Sequence, residues 1–508
     1  MNLQLPVSSW FLSLPKNIDS IIFAIMGFIA LWLSFRYNGV GISPDSVEYA
    51  SIARNFRDHM VLNDLSAQPV VNFPCLYPSF IAAVLILTGA DPFIAAPLIN
   101  AFLFFVVIYL SGELTYRATN DRLCKWVILV TVLLSGVLLQ VYTMLWSETL
   151  FIMFVLLFFQ IYQNYKVKSS FRNLIILAIV TAMASITRYA GITLIATGLL
   201  MIFIDPNLDK RKKRNHFICF GFLASSLLIT NLIRNYLLIN SFTGWRDHSY
   251  ISVTENISHY GSTLLSWLML PGDTYYLTLG IGCLVLASAL TILLCTAILK
   301  NNQQPGFLVI LAFLLIYSLF IILMASIRQF EQIDDRLLSP LYVPLAIILV
   351  SGLYSTNRNK KSKKIIYALI ISFALYINYN QYQDYVDWHN LASEYGIPGF
   401  TNLYWQHSDM AIFLRSNKIG KFNNIPFYSN WNEPVYFFSG KNCKLIPHFF
   451  SADQKNTFYN SKDFYLFWFD HLNNVDQAKL ISLEDIKKIK KLTKILQLSD
   501  GSIYLCSQ

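Results

Sequence analysis

A charged, helix-forming segment follows closely on the first apolar run of the chain, and its residue types and spacing could do chemistry. It reads GVGISPDSVEYASIARNFRDH, residues 39–59. Ser43 can cap a helix, Pro44 suits the first helical position, and Asp45 would meet the positive end of the helix dipole. Helical spacing puts Asp45 and Tyr49 on one face. Asp45 could therefore act as a base or a metal ligand, or it could only stabilise the helix start, by about 0.3–1 kcal/mol.

Two arginines and two acids at the ends of apolar runs could also serve a functional site. An arginine costs least at the end of a membrane span and can hold a phosphate through two parallel hydrogen bonds. Arg188 and Arg336 could do so, or they could snorkel or pair with Glu148 and Asp335. Glu148 itself could support a neighbouring functional side chain or contact an acceptor.

Other residue types add weaker candidates. Tyr49 and Tyr77 could bind a ligand or lie in the aromatic belt of a membrane interface. The eight histidines form no local metal signature, and no role is assigned to them. Cys443 and Cys506 could form a disulfide on an oxidising side of a membrane. Glu48 lies on a neighbouring face of the Asp45 helix and is interpreted as a matched control for Asp45.

The composition is that of a polytopic membrane protein: 55% of the 508 residues are hydrophobic and only 13% are charged. A membrane span needs about 20 apolar residues, and about eleven such runs are present. They lie near Ile18–Phe35, Ile94–Leu114, Leu123–Gln140, Thr149–Tyr165, Leu174–Thr187, Gly191–Ile204, Phe217–Leu238, Tyr276–Leu299, Phe307–Ile327, Leu337–Leu353 and Ile365–Tyr379.

Lysines and arginines are concentrated in alternate loops, and such residues resist translocation across a membrane. They include the clusters DKRKKRNH from Asp209 and RNKKSKK from Arg358. These loops are predicted to be cytoplasmic, which puts the N-terminus inside and the C-terminal tail outside a bacterial-type plasma or inner membrane. The net charge of +10 reflects this topology, so we expect contacts with anionic membrane lipids and no nucleic-acid partner.

The predicted outer face carries the longest polar segments. They are the loop 36–92, the loop 240–274 and the tail after residue 380. A transmembrane module is therefore expected over residues 1–380, including the outer loop 36–92, with an outer domain over residues 381–508. This asymmetry is typical of a protein that works at one membrane surface.

Alternating strand-like and helical stretches predict a small α/β fold for the tail. Helices are expected in DMAIFLRSN, EPVYFFSG and SLEDIKKIKK, the last with Ser482 as its N-cap. Strands are expected in IPFYSN, CKLIPH and DFYLFWFD, followed by a hairpin that turns at Asp500-Gly501.

A second outer-loop run, NFPCLYPSFIAAVLILTG from Asn72, has two prolines ahead of an apolar helix. If this run crossed the membrane, every later basic cluster would change sides. The sequence therefore favours a helix that lies in the membrane interface.

These motifs resemble those of the GT-C class of membrane glycosyltransferases that use polyprenyl-phosphate sugars, such as protein mannosyltransferases and the aminoarabinose transferases of lipid A. Asp45 followed by Tyr49 resembles the start of their first interface helix, and FPCLYP (residues 73–78) resembles their Pro-rich string. Further matches are SETLF from Ser147, TRYAG from Thr187 and DDRLLSPL from Asp334. Relatives often carry an acid or a lysine just before the Pro-rich string, where this chain has Val71-Asn72.

The resemblance implies an enzyme that moves a sugar from a polyprenyl phosphate to a lipid, glycan or protein acceptor outside the cytoplasm, with inversion of the anomeric centre. Asp45 would act as the base or ligate a divalent metal, while Arg336 and Arg188 would hold the donor phosphate. Glu148, Tyr49, Tyr77 and Asp335 would support these groups or contact the acceptor. Three alternatives remain: a polymerase or ligase of lipid-linked glycans, a polytopic transporter or flippase, and a non-catalytic assembly or receptor protein.

Overall fold

Helices dominate the fold, as the apolar runs of the sequence predict. The structure is a computed structural model that describes residues 17–507, apart from 245–246, 273, 299–304, 330, 356–359, 423–424 and 471–478. Arg358, which begins the second basic cluster, lies outside the described residues. The helices of the first part of the chain are α1 (Ile18–Ser34), α2 (Pro44–His59), α3 (Leu76–Thr88), α4 (Pro92–Thr119), α5 (Arg122–Leu133), α6 (Gly136–Thr143), α7 (Glu148–Val167), α8 (Phe171–Thr187), α9 (Ile192–Ile204), α10 (Lys210–Ile239), α11 (Val253–Trp267), α12 (Tyr275–Ile298), α13 (Pro305–Ile327), α14 (Asp335–Ser355) and α15 (Lys360–Tyr395).

Every predicted apolar run lies largely within a helix, but the expected count of about eleven spans is not confirmed. Among the described residues, six helices are long and apolar enough to cross a membrane, namely α4, α7, α10, α12, α13 and α14. The consecutive helices α5 and α6 pass the same test only as a pair, bent by 49°. Helices α1, α3, α8 and the apolar part of residues 189–204 are shorter.

The bend between α5 and α6 corrects the expectation of one continuous run from Leu123 to Gln140. The Ser135 hydroxyl accepts a hydrogen bond from the Leu138 amide, so it caps a new helix start in the middle of the apolar stretch. A serine that satisfies the first amides of a helix favours a break at that point. The candidate spans among the described residues therefore include one broken helix.

The chain divides into two compact units, which are described separately. The first comprises the residues up to Ser34, Val71–Tyr77 and Leu98–His389, and the second comprises Phe35–Val70, Pro78–Pro97 and the chain from Asn390 onward.

Charged side chains near helix ends of the first unit are paired. Lys125 is fully buried and its Nζ lies 3.0 Å from Glu113 Oε1. A buried charge is tolerated only with such a partner.

The second unit contains a five-stranded mixed sheet in the order β2-β1-β3-β5-β4. Strand β1 is parallel to both β2 and β3, whereas β5 is antiparallel to β3 and β4. The strands of the sheet are β1 (Phe427–Ser429), β2 (Cys443–Leu445), β3 (Phe464–Phe469), β4 (Lys491–Leu498) and β5 (Gly501–Ser507). The helices of the tail are α16 (Leu403–His407), α17 (Asp409–Arg415), α18 (Asn432–Ser439), α19 (Ala452–Tyr459) and α20 (Leu483–Ile489). The predicted tail helices and strands are confirmed, including the Ser482 cap and the hairpin at Asp500-Gly501.

Residues of the first outer loop cover the β2 edge of this sheet. The Cys443 amide donates to the Leu65 carbonyl oxygen at 3.3 Å, and Ser66 Oγ donates to the Cys443 carbonyl oxygen at 3.1 Å. An uncovered strand edge is a site for unwanted pairing with other chains. The loop therefore forms part of the second unit and closes one edge of its sheet.

Cys443 and Cys506 are both free and buried, so the disulfide that the sequence allows is absent. Strands β1 and β3 lie between the two cysteine-bearing strands. Three strand spacings of about 4.8 Å separate the cysteines by roughly 14 Å, whereas a disulfide needs Cα atoms within about 7 Å.

We expect both thiols to be alkylated in denaturant without prior reduction. Burial raises the pKa of both thiols, which further protects them from oxidation while the domain is folded. Mass spectrometry of peptides labelled before and after reduction tests this prediction. If these two cysteines were labelled only after reduction, the disulfide between them would be shown to exist.

Candidate functional site

Two arginines meet one buried carboxylate in the first unit. Glu148 Oε1 lies 2.7 Å from Arg188 Nη1 and 2.8 Å from Arg336 Nε. The Glu148 side chain is only 1% exposed, and the two arginine side chains are 19% and 9% exposed. Sequence reasoning offered phosphate binding and pairing with Glu148 as alternatives for these arginines, and the structure shows that the pairing exists.

Helix ends position the three groups. Glu148 is the first residue of α7, Arg188 caps the C-terminus of α8, and Arg336 is the second residue of α14. Arg188 Nη1 also donates to Ser147 Oγ at 2.9 Å. The free-energy cost of a charged side chain in a membrane is lowest at the ends of apolar helices. This explains why each of the three charged side chains of the cluster comes from the end of a separate helix.

Trp146 and Glu331 complete the surroundings of Arg336. The guanidinium lies 4.2 Å from the centre of the Trp146 ring, and its Nη1 donates to Glu331 Oε2 at 3.2 Å. Glu331 is 65% exposed, in contrast to the buried Glu148. Arg336 is therefore fixed by one buried and one exchangeable acid and by an aromatic face.

Asp335 does not pair with Arg336. Its Oδ1 accepts a hydrogen bond from Trp267 Nε1 at 2.7 Å. Trp267 and Tyr342 line an almost wholly apolar cavity of about 60 Å³ between helices α5, α11, α14 and α15. An apolar cavity thus lies beside the residue that precedes Arg336.

A tyrosine of the TRYAG motif and an asparagine that sequence reasoning missed hold the segment before the Pro-rich string. Tyr189 Oη and Asn235 Nδ2 both donate to the Val71 carbonyl oxygen, at 3.2 and 3.3 Å. Asn235 is fully buried on α10 and also donates to Tyr189 Oη at 3.1 Å. A polar residue within the last turns of an apolar run was the signal that could have identified it.

Asp45 and Tyr49 belong to the second unit. Ser43 caps α2 through a capping box with Ser46, and Pro44 and Asp45 form the first turn, as predicted. Asp45 is half-buried, while Tyr49 is only 3% exposed. Tyr77, in the first unit, is fully buried. Both tyrosines therefore have the placement of core aromatics, and a role for either toward an acceptor stays a prediction.

Glu48, interpreted from the sequence as a plain control, is an unusual acid. The residue is half-buried, and its buried Oε2 has no hydrogen-bond partner among the described residues. Burial, with the nearby carboxylates of Asp64, Glu433 and Asp45, raises the pKa of Glu48 well above its usual range, and a hydrogen bond from the Leu65 backbone offsets only part of this.

We expect Glu48→Gln to stabilise the protein at pH 8 and to leave its stability at pH 4 nearly unchanged. An unfolded glutamate titrates near about 4.3, and the native group titrates higher, so the native state binds more protons between these values. Stability then falls with rising pH, at up to about 1.4 kcal/mol per pH unit. Thermal unfolding of both proteins between pH 4 and 8 tests this; parallel pH profiles would contradict it.

A metal site was tested against the same residues. Among residues 17–507, with the gaps given above, no group of three or more histidine, cysteine, aspartate or glutamate side chains is placed to hold a metal ion. A role for Asp45 as one ligand of a divalent metal, with water and substrate oxygens as the others, stays a prediction.

Comparisons with known proteins relate the chain to solved structures. No family model and no curated protein sequence matches it. ArnT from Cupriavidus metallidurans bound to undecaprenyl phosphate matches with a TM-score of 0.60 and 11% identity, over 98% of each chain. The oligosaccharyltransferase of Archaeoglobus fulgidus, tethered to an acceptor peptide, matches with a TM-score of 0.53 and 11% identity, over 90% of this chain and 70% of that one. The chain therefore has the fold of the GT-C class of membrane glycosyltransferases, as its sequence motifs predict.

Proposed function

We propose that this protein is an integral membrane glycosyltransferase that moves a sugar from a polyprenyl-phosphate donor to a hydroxyl of an extracytoplasmic lipid, glycan or protein acceptor. The observation that carries the proposal is the cluster of Arg188 and Arg336 on buried Glu148 within a GT-C-type fold. The similar ArnT structure contains undecaprenyl phosphate, and an archaeal oligosaccharyltransferase structure contains dolichol-phosphate.

The charges of the cluster suit a phosphate. Arg188 and Arg336 bring two positive charges against the single buried charge of Glu148. The second acid, Glu331, is mostly exposed and contacts Arg336 at 3.2 Å. A donor phosphate could replace Glu331 on Arg336 without breaking the buried pair, and this exchange keeps the cluster near neutrality. The apolar cavity beside Asp335 offers a surface for the first part of a polyprenyl chain.

Asp45 is the proposed base. In a single displacement, Asp45 takes the proton of the acceptor hydroxyl as its oxygen forms a bond to the anomeric carbon. The bond from that carbon to the phosphate oxygen breaks, and the electron pair leaves with the polyprenyl phosphate. Arg188 and Arg336 stabilise the charge that develops on this phosphate. Attack from the face opposite the phosphate inverts the anomeric centre.

A divalent metal is not needed to write these steps. One similar oligosaccharyltransferase structure contains zinc and sulfate, but the described residues of this chain do not supply three protein ligands at Asp45. No step is therefore assigned to a metal here.

A second candidate function is transport or flipping of a lipid-linked sugar. The 49° break between α5 and α6, and the buried pair of Lys125 with Glu113, are features found in transporters. A polymerase or ligase of lipid-linked glycans would share the chemistry proposed above and differ in its acceptor.

The decisive experiment offers purified protein a panel of polyprenyl-phosphate sugars with acceptor extracts and measures release of polyprenyl phosphate together with labelled product. We expect release with at least one donor, dependent on added acceptor. Movement of intact donor across vesicles without cleavage would favour the transporter instead.

The orientation can be tested with single cysteines. Lys462 and Lys212 are both exposed, the first in the C-terminal domain and the second at the start of α10. An impermeant thiol reagent added to intact cells should label Lys462→Cys above the level of the parent protein and spare Lys212→Cys, because basic loops remain cytoplasmic. Labelling of Lys212→Cys from outside would put Asp45 in the wrong compartment for this reaction.

A further inference from the structure

An open pocket of about 590 Å³ lies within the second unit, apart from the residues given roles above. Its walls are aromatic, formed by Phe400 together with Phe437 and Phe438 of α18. Its polar groups come from Asn38, Thr401, Gln406 and Arg415. Ligand sites commonly combine such apolar walls with a few convergent polar groups.

Arg415 is the charged group of this pocket. Its guanidinium lies 4.4 Å from the centre of the Phe438 ring, and it makes no ion pair with any acid among the described residues. Arg415 is exposed at the mouth of the pocket, and partial desolvation lowers the pKa of its guanidinium. An arginine held on an aromatic face without an acid is ready to receive an anion from outside the chain.

The aromatic walls are rigid. Phe437 and Phe438 lie 4.8 Å apart between ring centres, and Phe400 packs against both at 6.0 and 6.5 Å. Trp405 supports Phe438 from behind at 5.6 Å. Rings held in this way offer apolar faces to a ligand without losing side-chain freedom on binding.

Unusual backbone conformations shape the polar rim. Asn38 has a φ of 71°, and Gly399, next to Phe400, has a φ of 113°. A side chain at Gly399 would approach the Ile42 carbonyl oxygen to 2.2 Å, so only glycine fits there. The Phe400 amide donates to that same oxygen at 2.8 Å. Two residue types that readily adopt a positive φ thus set the shape of this rim.

We propose that this pocket binds an anionic sugar, with its carboxylate or phosphate on Arg415 and its ring against the phenylalanines. The carboxamide of Asn38 then faces the sugar hydroxyls and can donate and accept hydrogen bonds. Thr401 Oγ1 donates to the Val40 carbonyl oxygen and Gln406 Nε2 to the Thr401 carbonyl oxygen, so these two side chains meet the sugar mainly with oxygen atoms that accept. Resting on the proposed transferase function, the bound sugar belongs to the acceptor, which makes the acceptor an acidic or phosphorylated glycan.

The test measures binding of glucuronate, glucose 6-phosphate, glucose and inorganic phosphate to the full-length protein by calorimetry. The protein is held in phosphatidylcholine nanodiscs, because maltoside detergents present sugars of their own. We expect saturable binding of both anionic sugars, at least 10-fold tighter than either glucose or inorganic phosphate. Arg415→Gln should remove this preference for the anionic sugars.

Two variants keep the test independent of folding. Asn38→Asp introduces a charge that repels anions, and aspartate still tolerates a positive φ. This variant should bind the anionic sugars at least 5-fold more weakly and bind glucose with unchanged affinity. Lys418→Gln removes an exposed charge from the same segment, outside the pocket, and should change affinity less than 2-fold. The proposal would be overturned if Arg415→Gln and Lys418→Gln lost equal affinity for the anionic sugars. It would also be overturned if inorganic phosphate bound as tightly as glucose 6-phosphate.

Failure of the pocket and failure of the transferase give different results. Sugar release from the polyprenyl-phosphate donor reports the transferase, whereas direct binding reports the pocket. If the Arg415→Gln variant transfers sugar with an unchanged KM for the acceptor, the pocket is not an acceptor site even though the enzyme is active. We expect its acceptor KM to rise at least 10-fold with unchanged donor affinity.

Discussion

Asp45→Asn should lower the rate of single-turnover sugar transfer by roughly 10²–10⁴, because an amide cannot take the proton of the acceptor hydroxyl. The variant should fold normally, since Ser43 and not Asp45 caps α2 through its hydroxyl. A lost contact with the helix dipole would cost under about 1 kcal/mol. Donor affinity should stay within a few-fold of the parent protein. The measurement is transfer at equal protein concentration and saturating donor.

The control for this experiment must be chosen from the structure. Glu48 does not serve, because its buried carboxyl makes Glu48→Gln alter the pH dependence of stability. Asp58→Asn makes the same chemical change near the end of the same helix, where the side chain is 46% exposed and pairs only locally with Arg57. Its transfer rate should be unchanged. Near-normal transfer by Asp45→Asn would remove Asp45 from the chemistry even though the GT-C-type fold remains.

Arg336→Ala should weaken binding of the polyprenyl-phosphate donor by about 1.5–3 kcal/mol, the range for hydrogen bonds to charged groups, or roughly 10- to 150-fold. The protein should also lose stability, because Glu148 loses one of its two arginine partners; leaving a buried charge with no ion partner would cost about 3–5 kcal/mol. Lysine at this position should restore part of the donor affinity, since it keeps the charge but cannot form two parallel hydrogen bonds.

Donor affinity and thermal stability must both be measured to interpret Arg336. Arg172→Ala removes an exposed arginine from the opposite end of α8 to Arg188 and should change neither quantity. If Arg336→Ala lowers the unfolding temperature but leaves donor affinity intact, Arg336 is a structural partner of Glu148 and does not bind the donor phosphate.

Local signals explain what the sequence could predict. The start of α2 depends on a serine, a proline and an acid within three positions, so its capping is readable without tertiary contacts. Glu148, Arg188 and Arg336 were identifiable because charged residues at the ends of apolar runs are confined by their cost in the membrane. Turn chemistry likewise located the hairpin at Asp500-Gly501.

Contacts between distant segments explain what the sequence could not predict. The raised pKa of Glu48 depends on its burial and on the charges of Asp64 and Glu433, which lie outside its own helix. The pocket around Arg415 joins Asn38 to residues that lie 362 to 400 positions later in the chain. The break at Ser135 escaped detection because hydropathy averages over a window and does not record a capping hydroxyl.

The covered edge of the sheet has a consequence for biosynthesis. Ser66 and its partner Cys443 are separated by 377 residues, so at roughly 5–20 residues per second the ribosome needs roughly 20–75 s to supply the second after the first. Throughout that interval the loop that carries Asp45 has been made, but the strand with which it pairs has not. The segment with the proposed base therefore reaches its final environment among the last parts of the protein to fold, and a nascent chain that stalls before the tail is complete leaves this segment unassembled.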